Sequence, residues 1–403
     1  MTVLVLDGSM RASLAMVRSL GRNGISVHVG GTHSRCLSSF SKYASGSLTY
    51  SDPQASREEF VQDLQSILDQ HQYEMVFASR EVTTLPLSYC KQDLELSTTI
   101  PFPGWETMEL TVDKAKTFQI ADAVGIPAPE TFILSEPSEL TSIEDRVDYP
   151  LVVKPRSKTT WIDEQPRMLK VTEENYVDSF EELERISTRI YDSVGVMPLI
   201  QEYIPGDGYG VELIYTEGSP TALFMHHRLR EYPISGGAST YRESYYDEKL
   251  ESPAVELLDA MEWEGVAMVE FRVDERDGVP KLMEVNGRFW GSLPLAIAAG
   301  VDFPYLLYRA YRGESIESGG YEPGVSSRWL LPGDILWFAS TLRNKSHRLE
   351  TIREFASIRN QNYDILSTTD PLPAVGAVGK IVGQALDVVR GKRNLSGEVT
   401  DRS

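Results

Sequence analysis

The segment from Met268 to Ser292 constrains this chain most. Met268-Val269-Glu270-Phe271-Arg272-Val273 is an apolar run with one acid in it. Glu275-Arg276-Asp277-Gly278 reads as a turn, and Leu282-Met283-Glu284-Val285-Asn286 runs back. The pattern predicts strands over 266–273 and 281–285 joined as a hairpin. Side chains two apart on a strand share a face, so Glu284 and Asn286 point the same way. Glu270 on the neighbouring strand joins them. Two carboxylates and an amide oxygen make a hard oxygen site, which suits Mg²⁺ completed by water and substrate phosphates. Arg288 follows at the next same-side position. Its guanidinium can hold a phosphate or a developing acyl-phosphate through two bonds.

The opening of the chain predicts a parallel α/β layer. Residues 2–6 form a buried strand, Asp7-Gly8-Ser9 a turn, and Leu14, Val17 and Leu20 a helix. A second strand starts at Ser26–Val29. Phe60, Leu64, Ile67 and Leu68 mark a helix, and 75–78 a strand. Thr111 is placed to cap a helix over 112–124 closed by Gly125. Leu151-Val152-Val153 is a strand that delivers Lys154. Residues 178–193 are helical, and strands over 199–204 and 210–215 flank a turn at Pro205-Gly206-Asp207-Gly208. Pro253–Trp263 is a helix. Residues 325–403 carry no strong strand signal and read as a helical extension with a frayed tail.

Composition narrows the class. Apolar residues at 41% and charged residues at 24% are those of an ordinary soluble protein. The apolar run at the N-terminus is too short for a leader, and no stretch approaches a membrane span, so a cytoplasmic protein is expected. Cys36 and Cys90 are too few for a disulfide framework or a multi-cysteine zinc site. A net charge of −20 argues against a nucleic-acid partner. With 12 Lys against 27 Arg, that acidity also resembles proteins of salt-loving microbes. The first strand is not followed by G-x-G-x-x-G. Gly379-Lys380 lacks the rest of a P-loop, since Ala374 and Ile381 stand at its other positions. His226-His227 are strand neighbours that point to opposite faces.

Further residues gather upstream of the hairpin. Lys114 opens a helix and Lys154 ends a strand, and both can supply point charges to phosphates. Gln201-Glu202-Tyr203-Ile204 leads into Pro205-Gly206, where backbone groups can meet an adenine edge and Asp207 can accept from ribose hydroxyls. In this order, Val112-Asp113-Lys114, Gly125-Ile126-Pro127-Ala128-Pro129, Val153-Lys154-Pro155, Gln201–Gly206, Val269-Glu270-Phe271 and Glu284–Arg288 resemble the ATP-grasp superfamily. The likeness is to its carbamoyl-phosphate-synthase-like, carboxylate–amine ligase branch, and it covers about 110–325.

The resemblance implies an α/β fold in three parts. An N-terminal Rossmann-like domain takes 1–111. The ATP-grasp domain takes 112–324, with a smaller lobe over 112–195 and a larger one over 196–324. A mostly helical extension takes 325–403. It implies ATP and Mg²⁺, or Mn²⁺, as cofactors, with Lys114, Lys154, Gln201, Glu202, Tyr203, Ile204 and Asp207 on the nucleotide. Glu270, Glu284 and Asn286 would hold the metal, and Arg288 the transferring phosphoryl group. The implied chemistry activates a carboxylate as an acyl-phosphate and joins it to an amine. Phosphoryl transfer alone, carboxylation, and nucleotide binding without chemistry are the alternatives. Many relatives carry a Gly-rich loop after the second lysine; here Arg156-Ser157-Lys158-Thr159-Thr160-Trp161 has no glycine. Glu212 is the other candidate for the ribose.

The acceptor side is read from the residues themselves. Arg228 and Arg230 lie two apart and so share one face of an extended chain, before the turn at Gly236-Gly237. They are expected to bind the substrate carboxylate or the γ-phosphate, with Arg228 also taking part in the chemistry. Arg80 and Glu81 follow a strand end and are expected to line the cleft. Small-molecule carboxylate and amine partners are expected, and membrane contact is not. Relatives of this kind often pair as homodimers, and the oligomeric state stays open. Residues 375–389 have helical apolar spacing with a basic end.

Overall fold

The computed structural model describes residues 2–94, 98–162, 165–233, 236–316, 319–343, 348–356 and 361–378. The N-terminal sheet is parallel, in the order Gly46–Thr49, Ser26–Gly31, Thr2–Val5, Met75–Phe77. Its central strand is covered on both faces, and Val3, Leu4 and Val5 are wholly buried. Asp7 ends that strand with φ of 57°. Its Oδ2 accepts from the backbone N–H of Ser79 (2.9 Å) and Arg80 (3.0 Å) and from the Thr83 hydroxyl (2.7 Å). It thereby fixes the start of the helix Glu81–Tyr89. Burial pushes the Asp7 carboxyl above its ordinary value, and these hydrogen bonds oppose the rise.

A second, antiparallel sheet orders Thr131–Ile133, Leu199–Glu202, Leu151–Lys154 and Tyr176–Val177. The helix Phe180–Val194 backs it. Ser179 caps that helix by accepting from Glu182 N–H, and Gly195 ends it at φ of 71°. A hairpin, Thr159–Ile162 with Gln165–Met168, stands beside this sheet.

The large sheet runs Pro280–Asn286, Gly265–Asp274, Gly206–Thr216, Ser219–Tyr232, Ala238–Ser244, Ser326–Arg328, Gln361–Tyr363. Its inner pairs are antiparallel and its last pair is parallel. The N-terminal sheet and the large sheet share one continuous apolar core, from Val3 through Phe77 and Trp263 to Leu307. The lobe between them has a separate core of Phe132, Leu140, Leu151, Val153, Leu183 and Ile186. That lobe is therefore the part whose packing leaves it freest to move.

Four local expectations are corrected. Asp113, not Thr111, caps the helix Lys114–Ala123, because its carboxylate accepts from Ala115 N–H (3.0 Å). Thr111 belongs to the preceding helix Trp105–Val112 and donates to Met108 O (2.9 Å). Gly206-Asp207-Gly208 is strand rather than turn, paired with Asp274, Val273 and Arg272. The helix at Pro253 begins at Glu248, capped by Asp247, so the proline lies in its second turn.

The fourth correction concerns the C-terminal part. Ser326–Arg328 and Gln361–Tyr363 extend the large sheet. The helices Ile335–Arg343 and Arg348–Ala356 lie between them. Beyond them Asp370 is held by Arg18 Nε (2.9 Å), Ser41 Oγ (2.7 Å) and Lys42 N–H (3.0 Å) of the N-terminal domain. Asp364 receives Arg242 (2.5 Å) and Ser327 (2.8 Å) of the large sheet, with Arg11 at 3.4 Å. The segment is a strap across both units. Residues 372–378 are helical; the rest of the expected helix over 375–389 and the Gly379-Lys380 pair lie outside the described residues. Among the described residues no helix is long and apolar enough to cross a membrane.

Candidate functional site

The acid hairpin forms as expected, and its ladder, which shifts register between Glu270 and Phe271, sets Glu270 directly opposite Glu284. Facing like charges destabilise a strand pair, so this arrangement needs cations. It receives three. Lys158 Nζ lies 2.5 Å from Glu284 Oε1, Lys114 Nζ 3.6 Å from Glu284 Oε2, and Arg228 Nη2 2.5 Å from Glu270 Oε2. Asn286 bridges the acids, its amide donating to Glu270 (2.8 Å) and Glu284 (3.2 Å). The Asn286 oxygen accepts from Arg288 Nη2 at 3.1 Å.

The electrostatics follow from this packing. Burial works against charge on Glu284, but Lys158 and Lys114 hold its carboxyl well below the ordinary value. Burial likewise opposes charge on Lys158 and Arg228. Glu284 in the one case and Glu270 in the other outweigh it, and both bases are raised. Burial dominates for Lys114, whose ammonium is lowered. Lys154 is lowered to about 8 by burial, opposed by Glu284 and reinforced by Lys114, Arg272 and Lys158. Its Nζ donates to Gln201 Oε1 at 2.6 Å.

Lys158 joins the acids although no sequence pattern placed it there. It stands on the segment without glycine, and the signal that could have found it was its spacing four residues past Lys154 across the strand end. A narrow cleft adjoins the cluster, walled by Glu81, Leu85, Met108, Lys114, Lys158 and Arg288. Glu81 thus lies where expected. Arg80 does not line this cleft, because its guanidinium turns to Gln54 (2.8 Å).

The sheet register corrects two further expectations. Tyr209 pairs with His227, and Gly210 with His226 and Glu270. Paired residues share a face, so Glu270, His226 and Arg228 are on one side, and Tyr209, His227 and Asp207 on the other. Asp207 therefore faces away from the acids, 69% exposed and 3.3 Å from His227. Glu212 is on the acid side but wholly buried against His226 (2.6 Å) and Ser292 (3.3 Å). Burial raises its carboxyl far above the usual range and lowers His226 far below its own. Glu212 is closed off from solvent, and Asp207 is open but on the face opposite the acids.

Arg228 and Arg230 part company because the register slips between them. Arg228 meets Glu270 and Glu231 (3.3 Å). Arg230 pairs with buried Asp334 (3.3 Å) over the rings of Tyr241 and Trp337. Gly236 has φ of 118°, but its N–H donates to Pro233 O (3.3 Å). Gly237 admits no Cβ, which would lie 2.2 Å from the Tyr232 backbone. Both glycines answer to this turn's own packing.

At the hinge, the N–H groups of Glu202 and Tyr203 donate to the carbonyls of Glu130 (2.9 Å) and Pro150 (3.3 Å). Ile204 is buried, and its N–H has no protein acceptor among the described residues. Cations outnumber acids around the cleft, an excess that suits a polyphosphate. Among the described residues no three Asp, Glu, His or Cys side chains form a ready-made metal cage. Glu270, Glu284 and the Asn286 oxygen nonetheless fit Mg²⁺, which takes few carboxylates and finishes its shell with phosphate oxygens. Here Lys158 and Arg228 neutralise these carboxylates.

Parallel domain, hinge lobe and acid-bearing sheet together define an ATP-grasp fold, and a family likeness is carried by part of the chain. Residues 196–330 match the family described as ATP-grasp in the biosynthetic pathway with Ter operon. The chain is 25% identical over 212 residues to a D-aspartate ligase of Enterococcus faecium (strain Aus0004), covering 50% of each. It is also 25% identical over 241 residues to a D-alanine–D-alanine ligase of Ectopseudomonas mendocina (strain ymp), covering 55% of this chain and 71% of that one. The chain therefore spans half the length of the first of these relatives. The fold matches a crystal structure of L-amino acid ligase from Bacillus licheniformis with a TM-score of 0.58 at 16% identity, over 76% of this chain and 73% of that one.

Proposed function

We propose that this chain is an ATP- and Mg²⁺-dependent ligase that activates a small carboxylate as an acyl-phosphate and joins it to an amine. The observation that carries the reading is the facing pair Glu270 and Glu284, bridged by Asn286 and met from other elements by Lys114, Lys158 and Arg228. The relatives named as amino-acid ligases support it.

In this reading Lys114, Lys154 and Lys158 hold ATP phosphates, and the hinge around Glu202–Ile204 meets adenine with the free N–H of Ile204. Glu270, Glu284 and Asn286 hold Mg²⁺, which when bound neutralises the phosphate oxygens. A substrate carboxylate oxygen attacks the γ-phosphorus, and the bond to the ADP oxygen breaks. Arg288 and Arg228 stabilise the charge carried by the transferring group. The amine nitrogen then attacks the acyl carbon, and phosphate leaves. Positioning and charge neutralisation supply the catalysis. The boundaries at 111, 195 and 324 belong to the same proposal, as does a homodimer.

The test is ADP release from Mg-ATP against D- and L-amino acids and small carboxylates, with and without amines, followed by product mass. Release that needs one carboxylate and one amine, with an amide product, is expected. A carboxylated or merely phosphorylated product overturns the ligase reading. Glu284→Gln is expected to lower turnover by at least about 100-fold, the scale of losing one electrostatic partner of the transition state, with the melting transition retained. Unchanged turnover removes the metal assignment.

A further inference from the structure

Glu81 differs from the other acids of the site. Glu270 and Glu284 each have a cation at 2.5 Å, and Glu231 has Arg228 at 3.3 Å. Among the described residues Glu81 has the Thr159 hydroxyl at 3.4 Å and Arg288 Nη2 at 3.7 Å, feels the charges of Lys158 and Lys114 without an ion pair to either, and lines the same cleft as they do. It is also held in place. It is the first residue of the helix Glu81–Tyr89, and buried Asp7 ties down this end by accepting from the N–H groups of Ser79 and Arg80 just before it and from the Thr83 hydroxyl. The helix N-terminus stabilises its negative charge. Its cleft neighbours Leu85 and Met108 are apolar, so a charge facing it is poorly solvated. A carboxylate with acceptor capacity left over, beside the arginine assigned to the acyl-phosphate, suits a positively charged nucleophile.

We propose that Glu81 receives the ammonium group of the second substrate and takes a proton from it, so that it selects a protonated primary amine as acceptor. The inference rests on the ligase reading above. In the step, the ammonium gives one proton to Glu81 and its nitrogen pair forms the C–N bond. The C–O bond to phosphate breaks, and the second nitrogen proton leaves with the phosphate. Glu81 passes its proton to solvent through the cleft.

Hydroxylamine separates this role from activation, because it is largely uncharged at neutral pH and traps acyl-phosphates as hydroxamates. Wild type and Glu81→Gln are compared with Mg-ATP and the carboxylate found above, with either hydroxylamine or the cognate amine. The variant is expected to lose at least 100-fold in kcat/KM for the amine, with a raised amine KM, and under threefold with hydroxylamine. Its amine reaction should recover as pH rises and free amine accumulates. An unchanged amine KM overturns the proposal. Equal loss with both nucleophiles also overturns it, since Glu81 would then act on activation through Arg288. If wild type forms neither hydroxamate nor amide with any carboxylate, the ligase reading itself fails.

Discussion

At the scale of single residues, the site is a set of charges that each work against something. Glu270 opposite Glu284 is unfavourable in a sheet and persists through Lys158, Lys114, Arg228 and the Asn286 amide. Lys154 shows the cost from the other side. With its ammonium lowered to about 8, it loses its proton above that pH in the free chain, and a bound phosphate restores the charge. ATP affinity is therefore expected to be highest below about pH 8 and to fall above it, with proton uptake on binding. Calorimetry in buffers of different ionisation heat measures both, and Lys154→Met should abolish the pH dependence. Because the folded value is below the free-lysine value of 10.5, the ligand-free chain carries a stability cost below about pH 8. That cost disappears as pH rises from there toward 10.5.

At the scale of elements, the hinge between the second sheet and the large sheet turns on Gly206. Its φ is 126°, and a Cβ there would lie 2.0 Å from the Val273 carbonyl oxygen. Only glycine avoids both the backbone strain and the collision. Gly206→Ala is expected to destabilise by about 2–3 kcal/mol in urea unfolding and to raise the KM for ATP, because the hinge segment Glu202–Gly206 shifts with it. A stability change within about 0.5 kcal/mol would mean that the strand end yields there.

At the scale of the whole molecule, the C-terminal strap binds the N-terminal domain to the large sheet. Asp370 with Arg18, and Asp364 with Arg242 and Arg11, are buried pairs, and leaving one partner alone is costly. Asp370→Asn is expected to cost about 3 kcal/mol at pH 7 by chemical denaturation. Burial works against the Asp370 charge, but the Lys42 N–H, Arg18 and Ser41 lower its carboxyl below the free value of 3.8. Its contribution is thus present above 3.8 and lost as pH falls through the folded value, so the variant should show a flatter acid limb. The net charge of −20 acts over the same scale. Molar KCl should screen its self-repulsion and raise Tm; a Tm that falls in salt would contradict the salt-loving composition.

The sequence by itself determined what short-range periodicity encodes. Alternation along 266–286 put Glu270, Glu284 and Asn286 on one face, and the apolar run 2–6 made a buried central strand. Lys114 and Lys154 were legible because each stands at the end of a recognisable element. Tertiary structure decided the rest, and for a physical reason: one residue of register reverses a side chain. Asp207 fell on the far face because 206–208 is strand, and Arg230 left Arg228 because a bulge lies between them. Lys158 and Glu81 reach the site through contacts 126 residues away in one case and from the N-terminal sheet's helix to the residues after the acid hairpin in the other, which no local pattern records. The strap was hidden likewise, since its strands are three residues long and its aspartates find their arginines only once the large sheet and the N-terminal helix stand side by side.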